Sequence, residues 1–140
     1  KVVKNASFNP TYIIKSADYS DSEKEAKLAD LGINTLAIQC ESEGRLDLNE
    51  LIPILNKMRI QTALIEAGPS LCSSFLQARY VDKLYYYMAP KIIGGTNSLF
   101  QHFDIHKLDE AVELKIDSVE QIEQDLLVIS YPQYKKRKDN

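Results

Sequence analysis

Between residues 11 and 90, short β-branched runs alternate with capped segments of helical spacing, and that alternation leaves the chain few architectures. "TYIIK", residues 11–15, stands between Asn9-Pro10 and Ser16-Ala17-Asp18 and predicts a buried strand. "SDSEKEAKLADLG" follows as a helix. Ser20 or Ser22 supplies its N-cap, Glu23 or Glu25 completes a capping box, and Gly32 sits where a helix C-terminus favours glycine. "INTLAIQ", residues 33–39, predicts a second strand. In "LDLNELIPILNKM", Leu48, Leu51, Ile52, Leu55 and Met58 recur at helical spacing behind Asp47 as cap. Pro53 is an uncomfortable interior residue there, costing about 3 kcal/mol, and it argues for a start nearer Asn49 or Glu50. "IQTALIE", residues 60–66, predicts a third strand, "PSLCSSFLQA" a third helix and "DKLYYYMAP" a fourth strand.

The order β-α-β-α-β-α-β favours an α/β fold, a three-layer α/β/α arrangement around a mostly parallel sheet. The last third breaks the rhythm. Residues 112–116 and 126–131 are two strand-like runs joined by a polar stretch, and they predict an antiparallel hairpin that finishes the sheet.

A chain of 140 residues with 44% hydrophobic residues is the size of one domain with a proper core. A net charge of -3 argues against nucleic acid as a partner, because phosphate binding needs clustered Lys and Arg. The exception, "KKRK" at Lys135, Lys136, Arg137 and Lys138, reads as a solvated tail over residues 135–140. Cys40 and Cys72 stand far apart and suggest neither a zinc cage nor a disulfide framework, as in a cytosolic protein. No apolar run is long enough to cross a bilayer, and no signal-peptide pattern appears, so no membrane partner is expected. The chain opens on "KVVKN" without an initiator Met, as a piece cut from something longer does.

Chemistry gathers at "LIEAGPSL", residues 64–71, where an apolar run stops at Glu66 and turns at once into the third helix. In an open α/β sheet, ligands collect outside the carboxyl ends of the strands, and Glu66 stands at such an end. Gly68 permits unusual backbone angles and a close ligand approach, and Pro69 suits the first helical position. The N–H groups of Ser70, Leu71 and Cys72 then lack helical partners and face outward at the positive end of the helix dipole, an arrangement that binds phosphate. Ser73 and Ser74 offer further hydroxyls. The carboxylate of Glu66 only accepts hydrogen bonds and suits a donor-rich ring such as an aminopyrimidine. An ordinary capped turn explains the same residues equally well.

The stretch from "LIEAGPSLCSSFLQARYVDKLYYYMAP" into "KIIGG" resembles the reductase domain of the bifunctional riboflavin-biosynthesis deaminase/reductase family, and a weaker likeness begins at Thr11. Glu66, Gly68, Pro69, Leu71, Phe75, Leu76, Val81, Asp82, Leu84, Ala89, Pro90, Lys91 and Gly94 carry it. The resemblance implies a dihydrofolate-reductase-like fold and NADPH as cofactor. It implies reduction of the ribosyl group of 5-amino-6-(5-phosphoribosylamino)uracil to the ribityl form. Glu66 would contact this pyrimidine ribosyl phosphate, while Gly68, Pro69, Ser70, Leu71, Cys72, Ser73 and Ser74 would line the cofactor site. A homodimer formed through the late strands is implied as well. Residues 1–134 would be the C-terminal portion of a longer reductase domain, holding half a site and inactive alone. In the full-length protein a zinc deaminase domain would accompany it, and an acidic residue near the reacting sugar would lie upstream of Lys1. Two alternatives stay open: another dihydrofolate-reductase-like pterin or pyrimidine reductase, or a non-catalytic dimerisation or nucleotide-binding piece.

Other features carry less. His102 and His106 are four apart without a third ligand, so no metal site is expected. Strand alternation would send Tyr85 and Tyr87 to one face and Tyr86 to the other, for packing in a core or a subunit interface. Gly94-Gly95 reads as a turn that could also approach a ligand. Lys15-Ser16, at the end of the first strand, is placed to reach an adenosine 2′-phosphate.

Overall fold

The computed structural model describes residues 6, 9–41, 44–93, 98–101 and 105–135. The chain divides into two compact units, residues 1–63 and 64–140.

The first unit is a β-α-β turn of structure with one more helix: β1 (Thr11–Ser16), α1 (Ser22–Asp30), β2 (Ile33–Ile38) and α2 (Leu48–Lys57). β1 and β2 pair in parallel from Thr11↔Ile33 to Ser16↔Ile38, which requires a crossover, and α1 is that crossover. Ile33 and Ile38 are buried at the two ends of β2, with Leu48 and Leu51 of α2. Burying a side chain such as Ile38 is worth roughly 1.5–3 kcal/mol. Asp21, not a serine, caps α1: its side chain accepts from the Lys24 N–H at 3.0 Å, and Glu25 Oε1 accepts from the Asp21 N–H at 3.5 Å. Neither expected capping box forms: the cap falls on Asp21 between the two serines, and Glu25 returns a bond to it from four residues on rather than three. Gly32, at φ 73°, closes the helix by donating to the Ala29 carbonyl at 2.8 Å. α2 starts at Leu48, runs unbroken through Pro53, and is capped by Asp47, which accepts from the Asn49 N–H at 2.7 Å. Glu50 Oε2 then accepts from the Gln39 N–H at 2.6 Å, so α2 fastens the end of β2.

The third predicted strand is absent. Residues 60–68 are irregular, and among the described residues they have no ladder partner. Strand composition alone does not make a strand, because the ladder supplies the bonds. The mixed α/β class stands, yet the parallel ladder among the described residues is limited to β1 and β2.

The second unit holds α3 (Pro69–Gln77), β3 (Leu84–Met88), a 3-10 turn (Leu108–Glu110), β4 (Glu113–Ile122) and β5 (Asp125–Gln133). Its sheet is antiparallel in the order β3-β5-β4. The late hairpin is as predicted, with longer strands. β4 runs on past Ile116 because an edge strand tolerates its polar Asp117, Ser118, Glu120 and Gln121. A bulge at Asp117 shifts the register, and Glu123 makes the turn at φ 54° without a glycine. Pairing of Tyr85 with Ile129 and of Tyr87 with Leu127 puts the two tyrosines on one face, both exposed within a single chain. The Lys83 ammonium lies 5.0 Å from the Tyr85 ring and 5.5 Å from that of Tyr131. The exit of α3 is tied to the end of β5: Arg79 Nη1 donates to the Lys135 carbonyl at 2.8 Å, and Tyr134 Oη to the Val81 carbonyl at 2.9 Å. Burial pushes the Tyr134 phenol above its ordinary value.

Cys40 and Cys72 are free thiols. No helix among the described residues is long and apolar enough to cross a membrane.

Candidate functional site at the entrance of α3

Glu66, Ala67 and Gly68 lead directly into α3, and Glu66 and residues 68–74 all lie within the second unit, whereas Lys15 and Ser16 lie in the first. Glu66 is exposed, with no hydrogen-bond or ion-pair partner among the described residues. Gly68 is the N-cap and supplies no side chain, while Pro69 opens the helix where its missing N–H costs nothing. The first turn carries no acidic residue. Helix entrances in proteins are usually closed by a side-chain oxygen, so this one is left to the solvent or a ligand.

Four of the expectations change in detail. Gly68 sits at φ -70° and ψ 169°, extended backbone that any residue adopts, so the turn does not need glycine for its angles. What glycine provides is space: a Cβ built there meets nothing within 4 Å, leaving the main chain open to an approaching group. Cys72 drops out as an amide donor, because its N–H makes the first helical bond to the Gly68 carbonyl at 3.1 Å. Its thiol is turned back as well, donating to the Ala67 carbonyl at 3.3 Å. Ser73 is buried and gives its hydroxyl proton to the Pro69 carbonyl at 2.8 Å, and Ser74 does the same toward Ser70 at 3.2 Å. Such bonding four residues back is the usual fate of a helical serine. The amides left without a partner among the described residues are those of Ser70 and Leu71, both exposed and both near the positive end of the helix dipole. Two donors, an open main chain and a free carboxylate are what the turn presents. A cavity of about 420 Å³ opens elsewhere, at the exit of α3 between Leu76, Arg79, Asp109 and Tyr134, and it includes neither Glu66 nor Gly68.

The Lys15 ammonium is occupied. It donates to Glu25 Oε1 and to the Tyr19 carbonyl, each at 2.7 Å. His102, Gly94 and Gly95 lie outside the described residues, and among the latter no three His, Cys, Asp or Glu side chains gather as a metal site.

The family described as the RibD C-terminal domain matches residues 2–128. The chain belongs to that family. It is 32% identical over 130 residues to the riboflavin biosynthesis protein RibD of Actinobacillus pleuropneumoniae, covering 91% of this chain and 34% of that protein. The solved RibD of Acinetobacter baumannii superposes with a TM-score of 0.73 at 28% identity, over 95% of this chain and 34% of that one. A pyrimidine reductase-like protein from Corynebacterium diphtheriae superposes with a TM-score of 0.70, over 89% of this chain and 50% of that one; at 19% identity it supports the fold alone. This RibD C-terminal domain thus spans about a third of the length of the RibD proteins it matches.

Proposed function

We propose that this RibD C-terminal domain takes part in the NADPH-dependent reduction of the ribosyl group of 5-amino-6-(5-phosphoribosylamino)uracil, as half of a site that the longer protein completes. The carrying observation is the entrance of α3, where Ser70 and Leu71 amides are unpartnered among the described residues, no acid fills the first turn, and a Cβ at Gly68 would meet only space. A pyrophosphate fits those donors and that dipole. When bound, NADPH supplies the hydride. The protein's part is to hold and align: Gly68 lets the main chain come close, the Ser70 and Leu71 amides hold anionic oxygens, and Glu66 accepts N–H bonds from the pyrimidine. Glu66 is the group through which substrate and cofactor would meet at one turn. Assembly as a homodimer in the cytoplasm is part of this reading. The exposed tyrosine-bearing face of β3 and β5 supports the first element, and the two free thiols fit a reducing compartment.

A crossed titration followed by fluorescence tests it. Gly68→Val lowers NADPH affinity by about tenfold or more while the melting temperature drops only as far as the loss of a good N-cap residue requires, since a Cβ at this position meets nothing within 4 Å. Glu66→Gln weakens the pyrimidine substrate and spares NADPH. Unchanged NADPH affinity in Gly68→Val removes the α3 entrance from the cofactor site and sinks the proposal.

A further inference from the structure

The cavity of about 420 Å³ at the exit of α3 has the size of a small-ligand site, and its described lining lies wholly within the second unit. Its inner wall is apolar: Leu76 is buried, and Val112 and the Tyr134 ring are half-buried. Its mouth is charged, with Arg79, Asp109, Glu110 and Lys135 all exposed. Two cations and two carboxylates cancel, so this lining favours a ligand that is itself neutral in sum. Yet among the described residues no ion pair joins either cation to either carboxylate.

Two of the four groups are engaged with main chain. The Lys135 ammonium donates to the Asp109 carbonyl, and Glu110 Oε2 accepts from the His106 N–H at 3.2 Å. Arg79 spends Nη1 on the Lys135 carbonyl at 2.8 Å, which leaves the other N–H groups of its fork to a ligand. The Asp109 carboxylate has no partner among the described residues. A guanidinium and a carboxylate thus share one cavity, each with bonding capacity to spare, and do not meet. A ligand carboxylate suits the first in bidentate fashion, and a ligand ammonium suits the second.

We propose that this cavity binds a zwitterion with an aliphatic side chain, an α-amino acid. Its carboxylate lies on Arg79, its ammonium on Asp109, and its side chain against Leu76 and Val112. The site is separate from the entrance of α3, since the two stand at opposite ends of a nine-residue helix, roughly 13 Å apart. It does not rest on the cofactor reading.

Calorimetric titration of the 140-residue chain compares L-leucine with 4-methylpentanoate, which lacks the ammonium, and 3-methylbutylamine, which lacks the carboxylate. Leucine binds at least about fivefold more tightly than either analogue. Arg79→Gly weakens leucine and 4-methylpentanoate about tenfold and spares the amine. The backbone accepts this exchange, because Arg79 sits at φ 64°, where glycine is favoured. Asp109→Asn does the converse, weakening leucine and the amine and sparing the acid. Glu66→Gln moves none of the three. A chain that does not bind leucine overturns the proposal, as does one that binds 4-methylpentanoate equally well, which marks a plain anion site. A leucine affinity that falls with Glu66→Gln places the ligand at the α3 entrance and overturns it too. Should Arg79→Gly lose all three ligands alike, Asp109→Asn decides: a selective loss upholds the site, and a uniform loss or none overturns it.

Discussion

Two helices of this chain begin next to chemistry-bearing turns, and they begin in opposite ways. α1 is closed: Asp21 accepts from the Lys24 amide, Glu23 and Glu25 add negative charge in the first turn, and Glu25 also holds Lys15. α3 is open: its cap is a glycine, its first residue a proline, and its first turn has no acid. In α1 the positive end of the dipole is answered by the protein's own carboxylates. In α3 it is answered by nothing among the described residues. The lesson is that an anion is offered a place by what the sequence leaves out of a first turn as much as by what it puts in.

The sharpest way to break the comparison is to close α3 as α1 is closed. Ser70→Asp puts a carboxylate in the first turn, where the dipole favours it by about 0.3–1 kcal/mol, so the variant melts slightly higher than the wild type. The same charge repels a pyrophosphate and competes for the amides, so NADPH affinity falls about tenfold. Stability and binding move in opposite directions, and calorimetry beside a titration reads both. A variant that binds NADPH as well as the wild type would show that the open entrance is only an uncapped helix.

The reverse operation on α1 is smaller. Asp21→Ala removes the cap from the Lys24 amide and costs about 1 kcal/mol, read as a lower midpoint in urea unfolding. It leaves Glu23 and Glu25 in place, so the entrance of α1 stays acidic and gains no affinity for inorganic phosphate. Phosphate binding by this variant would mean that caps alone, rather than the charge of the whole first turn, separate the two helices.

How much of this was legible in the sequence follows the range of each interaction. The end of α1, the Asp47 cap of α2 and the start of α3 depend on residues within four of one another, and Gly32, Asp47 and Pro69 signal them. The cap of α1 instead falls on Asp21 between the two serines, and α2 starts at Leu48 despite Pro53. The late hairpin was also local, and only the extent of β4 escaped, because its edge position depends on β3 taking the other side of β5. Residues 60–66 have every composition cue of a strand, but a ladder partner is a property of the fold and not of seven residues. At the α3 turn Gly68 and Pro69 mark the start of the helix as the sequence reads, but Glu66 ends no strand, so its place at the carboxyl end of one is not realised. The hydroxyls of Ser73 and Ser74 were counted as donors for a ligand, whereas the helix turns each toward the carbonyl four residues earlier. A serine inside a helix tends to bond to the carbonyl four residues back, and that tendency is the signal in the sequence that favours this arrangement. Lys15 reads as a free cation in the sequence because Glu25 is ten residues away, a distance that only the fold removes by bringing the first turn of α1 back to the end of β1.

The smallest effect in the comparison is read by pH. Lys15, as a hydrogen-bond donor, holds the Glu25 carboxyl below its ordinary value of 4.5; the Asp21 amide adds to this, and the Asp21 carboxylate opposes it. A folded chain with a depressed carboxyl binds fewer protons than the unfolded chain in that range, so this contribution is fully present above pH 4.5 and is lost as the pH falls through the folded value. Glu25 is solvent-accessible, so salt screens the effect and the change in acid stability is slight. Urea midpoints of wild type and Glu25→Gln therefore differ by a constant at pH 6 and 7 and converge as the pH drops below 4.5. The α3 entrance has no such pair, and Ser70→Ala keeps the wild-type acid profile. A Glu25→Gln chain whose acid limb parallels the wild type would mean that the Lys15 pair is absent in solution. The contrast between a charge-filled and an empty first turn would then lose its best-defined member.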